Sequence, residues 1–239
     1  LLFLGKRRLV TSIANSAALK LAEVSGATPA PAGGAINLDV DGEPTGMLID
    51  RAQGMVRRLV PPPTEEQLER ALELASERSV MLGWTQIQDA HGSWGEVARM
   101  RKLCNEGRIK VRLFKAISGP GEAADSLIAS GPITADCDDH LTVRTIKLVM
   151  DGALGSRGAA LLEPYRDDTK NTGLLVSAPA HIQDVATRAL KAGFQVNTHA
   201  IGDRGNRLVL DAYEAALKAN PTADHRLRVE HAQILNFDD

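Results

Sequence analysis

The sequence predicts an α/β protein in which helices cover a parallel β-sheet. Three observations carry this expectation. Five apolar, β-branched runs recur between residues 83 and 235, helix-period segments separate them at βαβ spacing, and a triple proline at 61–63 divides this pattern from a less regular start.

The elements follow in order. "NSAALKLAEVSG" (15–26) reads as a short helix capped by Asn15 or Ser16 and stopped at Gly26. "GGAINLDVDGEPTGMLI" (33–49) alternates like two short strands around the turn Asp41-Gly42-Glu43-Pro44. The prolines of "PPPTEEQ" end that segment, and Thr64 with Gln67 opens a capping box. Residues 1–60 are therefore expected to be an inserted segment with a short helix and a hairpin, and 61–239 the main domain. A helix over 65–81 repeats Leu68, Ala71, Leu72, Ala75 and Arg78 on one face. Strand "GWTQIQDA" (83–90) follows, then a helix from the Ser93–Glu96 capping box to about Glu106. Next come strand 109–117, a helix-like run at 121–130 and strand 142–150. After a long polar loop, a helix over 180–192 closes at Gly193. Strand 194–200, a helix capped by Asp203 and strand 225–235 complete the pattern. Trp84 and Trp94 read as packing residues.

Composition narrows the function. A formal charge of -2 leaves no footprint for nucleic acid or an anionic membrane surface. No apolar run reaches membrane-spanning length, and the four leading apolar residues before the basic cluster at 6–8 are too few, and in the wrong order, for a signal peptide. Two cysteines, Cys104 and Cys137, argue against a disulfide scaffold and fit a reducing, cytoplasmic compartment. The pattern leaves two architectures, an open doubly wound sheet or a (β/α)8 barrel. The lack of any G-x-G-x-x-G or Walker motif after a strand weighs against nucleotide binding by an open sheet.

In both architectures the chemistry gathers at the C-terminal ends of the strands. Three successive strands end there on residues suited to metal binding. One carries Lys147 and runs into Asp151, the next ends on His199, and the last carries Glu230 and His231 before Gln233. Two neutral imidazoles from adjacent strand ends suit a first-row metal ion. Lys147 sits within the apolar run Ile146-Leu148-Val149-Met150, where a lysine is costly unless paired or neutralised. It reads either as a core salt bridge or as a low-pKa amine, a Schiff-base nucleophile or a carbamate that binds metal. Glu230 precedes His231, so alternation is expected to point it to the opposite face, toward a barrel helix.

The runs "IKLVMDGALGSRGAALLEPY" (146–165), "VNTHAIGDRGNRLVLDAYE" (196–214) and "RLRVEHAQ" (226–233) resemble the YtcJ-like, amidohydrolase-3 branch of the metal-dependent amidohydrolases. "NSAAL", "DGEPTGMLID" and "WTQIQDA" resemble it in the same order, so the likeness spans almost the whole chain. It implies a (β/α)8 TIM barrel, a small β-sandwich, and a mono- or binuclear metal centre, usually zinc. By the resemblance Lys147, often carbamylated in such enzymes, is the metal ligand of the fourth barrel strand. His199 and His231 are those of the fifth and sixth. The five strands found are then barrel strands two to six. The first-strand H-x-H pair occurs nowhere in the chain, and the eighth-strand aspartate that shuttles the proton is expected beyond Asp239. The chain thus reads as an internal portion of such an enzyme, one that retains metal but by itself turns over weakly or not at all.

Other residues take supporting places. Asp151 follows the Lys147 strand, and Ser156 and Arg157 lie in the loop beyond it, where substrate contacts collect. Asp203 caps a helix and orients His199, Asp89 ends a strand next to His91, and Gln233 faces the pocket or closes its strand. The expected substrate is a small amide-like molecule cleaved at a C–N bond, and a homo-oligomer is expected because exposed parallel edges associate. The alternatives are a non-catalytic barrel scaffold that self-associates and a metal-free Schiff-base enzyme built on Lys147.

Overall fold

The computed structural model describes residues 3–5, 11–31 and 34–239; Gly33 and the basic cluster at 6–8 lie outside them. The chain divides into two compact units, Leu1–Thr64 and Glu65–Asp239.

In the first unit, β1 (Phe3–Gly5), β2 (Thr11–Ala14), β3 (Gly34–Leu38) and β4 (Pro44–Asp50) form an antiparallel sheet in the order β1-β2-β4-β3. The β3–β4 turn is the one the sequence predicts. Asp39 Oδ1 accepts the N–H groups of Asp41 and Glu43, and Gly42 supplies φ 81°. Helix α1 (Ser16–Leu21) starts at Asn15, whose Oδ1 accepts the Ala18 N–H at 2.9 Å. It ends five residues before Gly26, with Glu23 in the left-handed region at φ 56°. Ala18 and Leu19 pack with Ala14 and Leu48, and with Val56 of the single turn α2 (Gly54–Arg57).

The second unit is a curled parallel sheet with helices on its convex face. Its strands are β5 (Gln86–Asp89), β6 (Arg112–Ser118), β8 (Leu141–Val149), β9 (Gln195–Ala200) and β10 (Arg228–His231), paired in that order; the short β7 (Ile133–Ala135) lies antiparallel on β8. The curl lets Arg228 Nη2 of β10 donate to Gln88 Oε1 of β5 at 3.4 Å across the concave face. Such a sheet is part of a (β/α)8 barrel rather than a flat doubly wound sheet. The helices are α3 (Glu65–Met81), α4 (Trp94–Asn105), α5 (Glu122–Ser130), the single turn α6 (Asp136–Asp139), α7 (Pro179–Lys191) and α8 (Asp203–Ala219). Among the described residues no helix is long and apolar enough to cross a membrane.

Side-chain periodicity explains the packing. In α7, Ile182, Val185, Ala186, Ala189 and Leu190 form one buried stripe; in α8, Val209, Ala212, Tyr213 and Ala216 do the same. They meet the convex side chains of the sheet, among them Ile146, Leu148 and Val196. A bulge in β8 sets this geometry. Phe114 and Ala116 of β6 are two residues apart, whereas their partners Thr142 and Thr145 are three apart. The extra residue lets Leu141 and Val143 before it, and Ile146 and Leu148 after it, all join the core.

Some elements differ from their sequence expectation. β10 is four residues long because Arg226 (φ 47°), His231 (φ 81°) and Ala232 (φ 43°) break the extended backbone on both sides. β6 starts after Val111 because the N–H groups of Lys110 and Val111 donate to the buried Ser76 Oγ of α3, at 2.7 and 3.3 Å. Trp84 is not a packing residue but 61% exposed, whereas Trp94 lies against the core. The face of α3 toward α4 is ionic: Glu65 pairs with Arg99, Glu69 with Lys102 and Arg108, and Glu73 with Arg108.

Candidate functional site

The concave face carries a row of polar side chains in register. Ser118 of β6 pairs with Lys147 of β8, Lys147 with Asn197 of β9, and Asn197 with Arg228 of β10. One step toward the C-terminal ends, Val149 pairs with His199 and His199 with Glu230. Alternation therefore places Lys147, Asn197, His199 and Glu230 on one face. This corrects the expected direction of Glu230. Its carboxylate accepts a hydrogen bond from Lys147 Nζ and another from Asn197 Nδ2 at 3.2 Å, instead of reaching a helix. Lys147 is 5% exposed, and this ion pair offsets its burial. Burial alone would raise the Glu230 carboxyl, but the hydrogen-bonded Lys147 ammonium, together with Arg228 and His231, outweighs it and holds the group below the ordinary carboxylate range.

His231 belongs to the opposite face by alternation, yet its left-handed backbone turns the chain at the strand end. Its ring meets that of His199 edge-on, with centroids 4.4 Å apart. Burial, and then the neighbouring His231, lower the His199 pKa against the opposing pull of Asp151, which favours the neutral imidazole that can donate a lone pair.

Asp151 is 1% exposed and organises the strand ends. Its carboxylate accepts the N–H groups of Ala160 (2.9 Å), Ile201 (2.9 Å) and Gly202 (2.8 Å), and its Oδ1 lies 3.5 Å from His199 Nε2. It ties the loop after β8 to the loop after β9. Asp203 is not the side-chain cap of α8; Gly202 occupies that position, and Asp203 Oδ1 accepts the Leu162 N–H at 2.8 Å instead. Ser156 Oγ donates to Ala153 O, and Arg157 pairs with Asp167 at 2.9 Å, so both are engaged within their own loop. Gln233 is exposed beyond β10.

Asp89 has a partner that the sequence reading passed over. Lys115, fully buried on β6, sends its Nζ to Asp89 Oδ2 (2.6 Å), Glu96 Oε2 (2.6 Å) and the His91 carbonyl (2.7 Å). Three donors meet three acceptors and bind the loop after β5 to the sheet. Glu96 is thereby drawn away from a full capping box, although its N–H still reaches Ser93 Oγ at 3.4 Å. The signal for Lys115 was the same as for Lys147, a lysine inside an apolar run (Leu113, Ala116, Ile117).

The structure thus brings Lys147, His199, His231, Asp151 and Glu230 to one rim, leaves Asp89, Ser156 and Arg157 in other local contacts and leaves Gln233 exposed. Among the described residues, no group of three or more His, Cys, Asp or Glu side chains is arranged to hold a metal. The two imidazoles in contact still fit as nitrogen donors to one ion. Lys147, as an ammonium on Glu230, has no lone pair to offer and becomes a donor only after conversion to a carbamate.

A parallel sheet curled into part of a barrel, with paired histidines at its C-terminal rim, defines an incomplete TIM barrel. Residues 2–239 match the Amidohydrolase family, and the chain belongs to it. It is 34% identical over 94% of its length to the Protein LONG AFTER FAR-RED 3 of Arabidopsis thaliana, and 33% identical over 93% to the putative amidohydrolase YtcJ of Bacillus subtilis (strain 168). It spans 40% and 41% of those relatives' lengths. An uncharacterized metal-dependent hydrolase from Pyrococcus furiosus superposes with a TM-score of 0.70 at 27% identity, covering 96% of this chain and 45% of that one.

Proposed function

We propose that this chain supplies part of the metal centre of a hydrolase that cleaves an amide-like C–N bond in a small molecule. The supporting observation is the edge contact of His199 and His231 at the ends of adjacent parallel strands, with the buried Lys147 on the neighbouring strand. In this reading the two histidines are nitrogen ligands to a divalent ion, zinc foremost, and Lys147 is an oxygen ligand as its carbamate. When bound, such an ion supplies Lewis acidity toward water and a substrate carbonyl. The chain's own residues prepare the site. Asp151 fixes the two loops that flank His199, and burial keeps His199 neutral. Glu230 holds Lys147 as a cation until carbamylation makes it an anion that Glu230 repels, so the paired and ligating states of Lys147 exclude each other. Ser156, Arg157 and Gln233 form the substrate side of this reading.

Elemental analysis of the purified chain, with Lys147→Ala and His199→Ala beside it, tests the proposal. Near-stoichiometric zinc, lost in both variants, is expected. A metal-free wild-type chain in zinc-supplemented buffer refutes it. A second reading, a self-associating scaffold, is favoured by the sheet edges. Among the described residues β5 and β10 each pair on one side only, and open edges recruit a second copy. Sedimentation that shows only monomer argues against that reading.

A further inference from the structure

We propose that Cys104 and Cys137 are a reversible dithiol–disulfide pair, a modification site that clips α4 to the turn leading into β8. The two thiols are free, each is partly buried, and they come together from positions 33 residues apart. Cys104 Sγ lies 3.7 Å from the Cys137 carbonyl oxygen, and Cys137 Sγ lies 3.7 Å from the Arg101 carbonyl oxygen, on the turn of α4 before Cys104. Each sulfur thus sits against the backbone that presents the other. On the same turn, Asp136 pairs with Arg101 at 2.6 Å, a second clamp between the same two elements. The Cys104 thiol is pushed up to about 12, first by burial and then by the neighbouring Cys137 side chain.

The backbone at this place is unusual as well. Ala135, Cys137, Asp138 and Asp139 all have positive φ, between 53° and 64°, although none is glycine. The turn joins the antiparallel pair β7 and β8, closed by the bridge between Asp136 and Leu141 and by the His140 N–H on the Asp136 carbonyl at 3.0 Å. Its contacts with α4 add to that local closure, and a covalent link between Cys104 and Cys137 replaces a weak contact with a strong one in the same place.

The oxidant is a low-molecular-weight disulfide. The Cys137 thiolate attacks one of its sulfurs, which breaks the small S–S bond, forms a mixed disulfide and releases one small thiolate. Cys104, the thiol that deprotonates with difficulty, then attacks the Cys137 sulfur. The protein S–S bond forms, the second small thiolate leaves, and the two protons from the cysteines pass to the two released thiolates. Two electrons move from the protein thiols to the small disulfide. In a reducing compartment the pair stays reduced, and a more oxidising poise closes it, as expected of a regulatory rather than a structural bond. The link fixes the entry to β8, the strand that carries Lys147.

The test equilibrates the folded chain with oxidised glutathione, followed by mass spectrometry of intact protein and of a digest. The expected product is a monomer lighter by two hydrogen atoms, with a Cys104–Cys137 cross-linked peptide, and dithiothreitol restores both thiols. Its unfolding midpoint in urea rises above that of the reduced protein. Oxidised Cys137→Ser protein shows no such rise. Stable mixed glutathione adducts without the cross-link, disulfide-linked dimers, or two thiols that persist in folded protein each overturn the proposal. The wild-type digest decides the matter even if a serine variant does not fold.

Discussion

Replacing Lys115 with methionine tests whether the clamp on the loop after β5 contributes to stability. Methionine keeps the apolar stem in the core and removes only the charge. Lys115 is 0% exposed, while its partners Asp89 and Glu96 are 38% and 43% exposed. Removing one member of a buried ion pair typically costs about 3–5 kcal/mol, because the other is left without compensation. Here both carboxylates reach water and rehydrate, so the lower end applies, about 3 kcal/mol. In a unit of this size that lowers the thermal midpoint by about 6–12 °C. Asp89→Asn and Glu96→Gln each keep an acceptor oxygen and leave the ammonium one carboxylate, and each should cost less, about 1–2 kcal/mol. Urea unfolding of the three variants, followed by circular dichroism, measures the order. A Lys115→Met loss under about 1 kcal/mol, the scale of an exposed ion pair, would refute the reasoning. So would a Glu96→Gln loss larger than that of Lys115→Met.

Other perturbations probe other parts of the fold. The buried Tyr213 hydroxyl lies 2.6 Å from Thr198 Oγ1 and 3.1 Å from the Arg228 carbonyl, so Tyr213→Phe should cost about 1–2 kcal/mol in urea unfolding. Gly202→Ala drives a methyl group into the Ala160 carbonyl and should destabilise by about 1–3 kcal/mol, with solvent exchange of the amides after β9 accelerated. The α3–α4 face should weaken in acid. Hydrogen bonds from Lys102 to Glu69, and from Arg70 and Arg108 to Glu73, lower both carboxyl pKa values. Their contribution is therefore present above the unfolded value of 4.5 and lost as pH falls through the lower folded values. Melting curves between neutral pH and pH 3 should show a smaller acid loss in Arg108→Met than in wild type; equal losses would count against the ionic face.

The order of elements in the second unit was legible because its helices and strands obey clean periodicities. α7 and α8 show one apolar stripe each, and the five parallel strands lie where the apolar runs are. Strand ends were less legible. The limits of β10 depend on left-handed residues at Arg226 and His231, neither of them a glycine. The direction of Glu230 was misjudged because two neighbouring residues cannot both be assigned a face until one knows where the strand stops. Once His231 breaks the extended backbone, Glu230 is left to pair with Lys147. Lys115 and Lys147 carry identical local signals, and only the fold separates a lysine that clamps a loop on the convex side from one at the rim. The meeting of Cys104 with Cys137 is tertiary and has no local signature.

The single extra residue in β8 acts as a phase shifter. Upstream of it Val143 belongs to the helix layer, and downstream Ile146 does, so the odd–even assignment of the strand is inverted between the two halves. Deleting the extra residue would remove the bulge and keep Ile146 in the helix layer and Lys147 on the concave face, whereas straightening the strand with that residue retained would send Ile146 into the concave face and Lys147 into the oil of the helix layer. The chemistry of the rim therefore depends on how the extra residue is accommodated as much as on composition. Related chains that kept these letters and their number but paired them without the bulge would look alike on paper and present a blank wall where this one presents an amine.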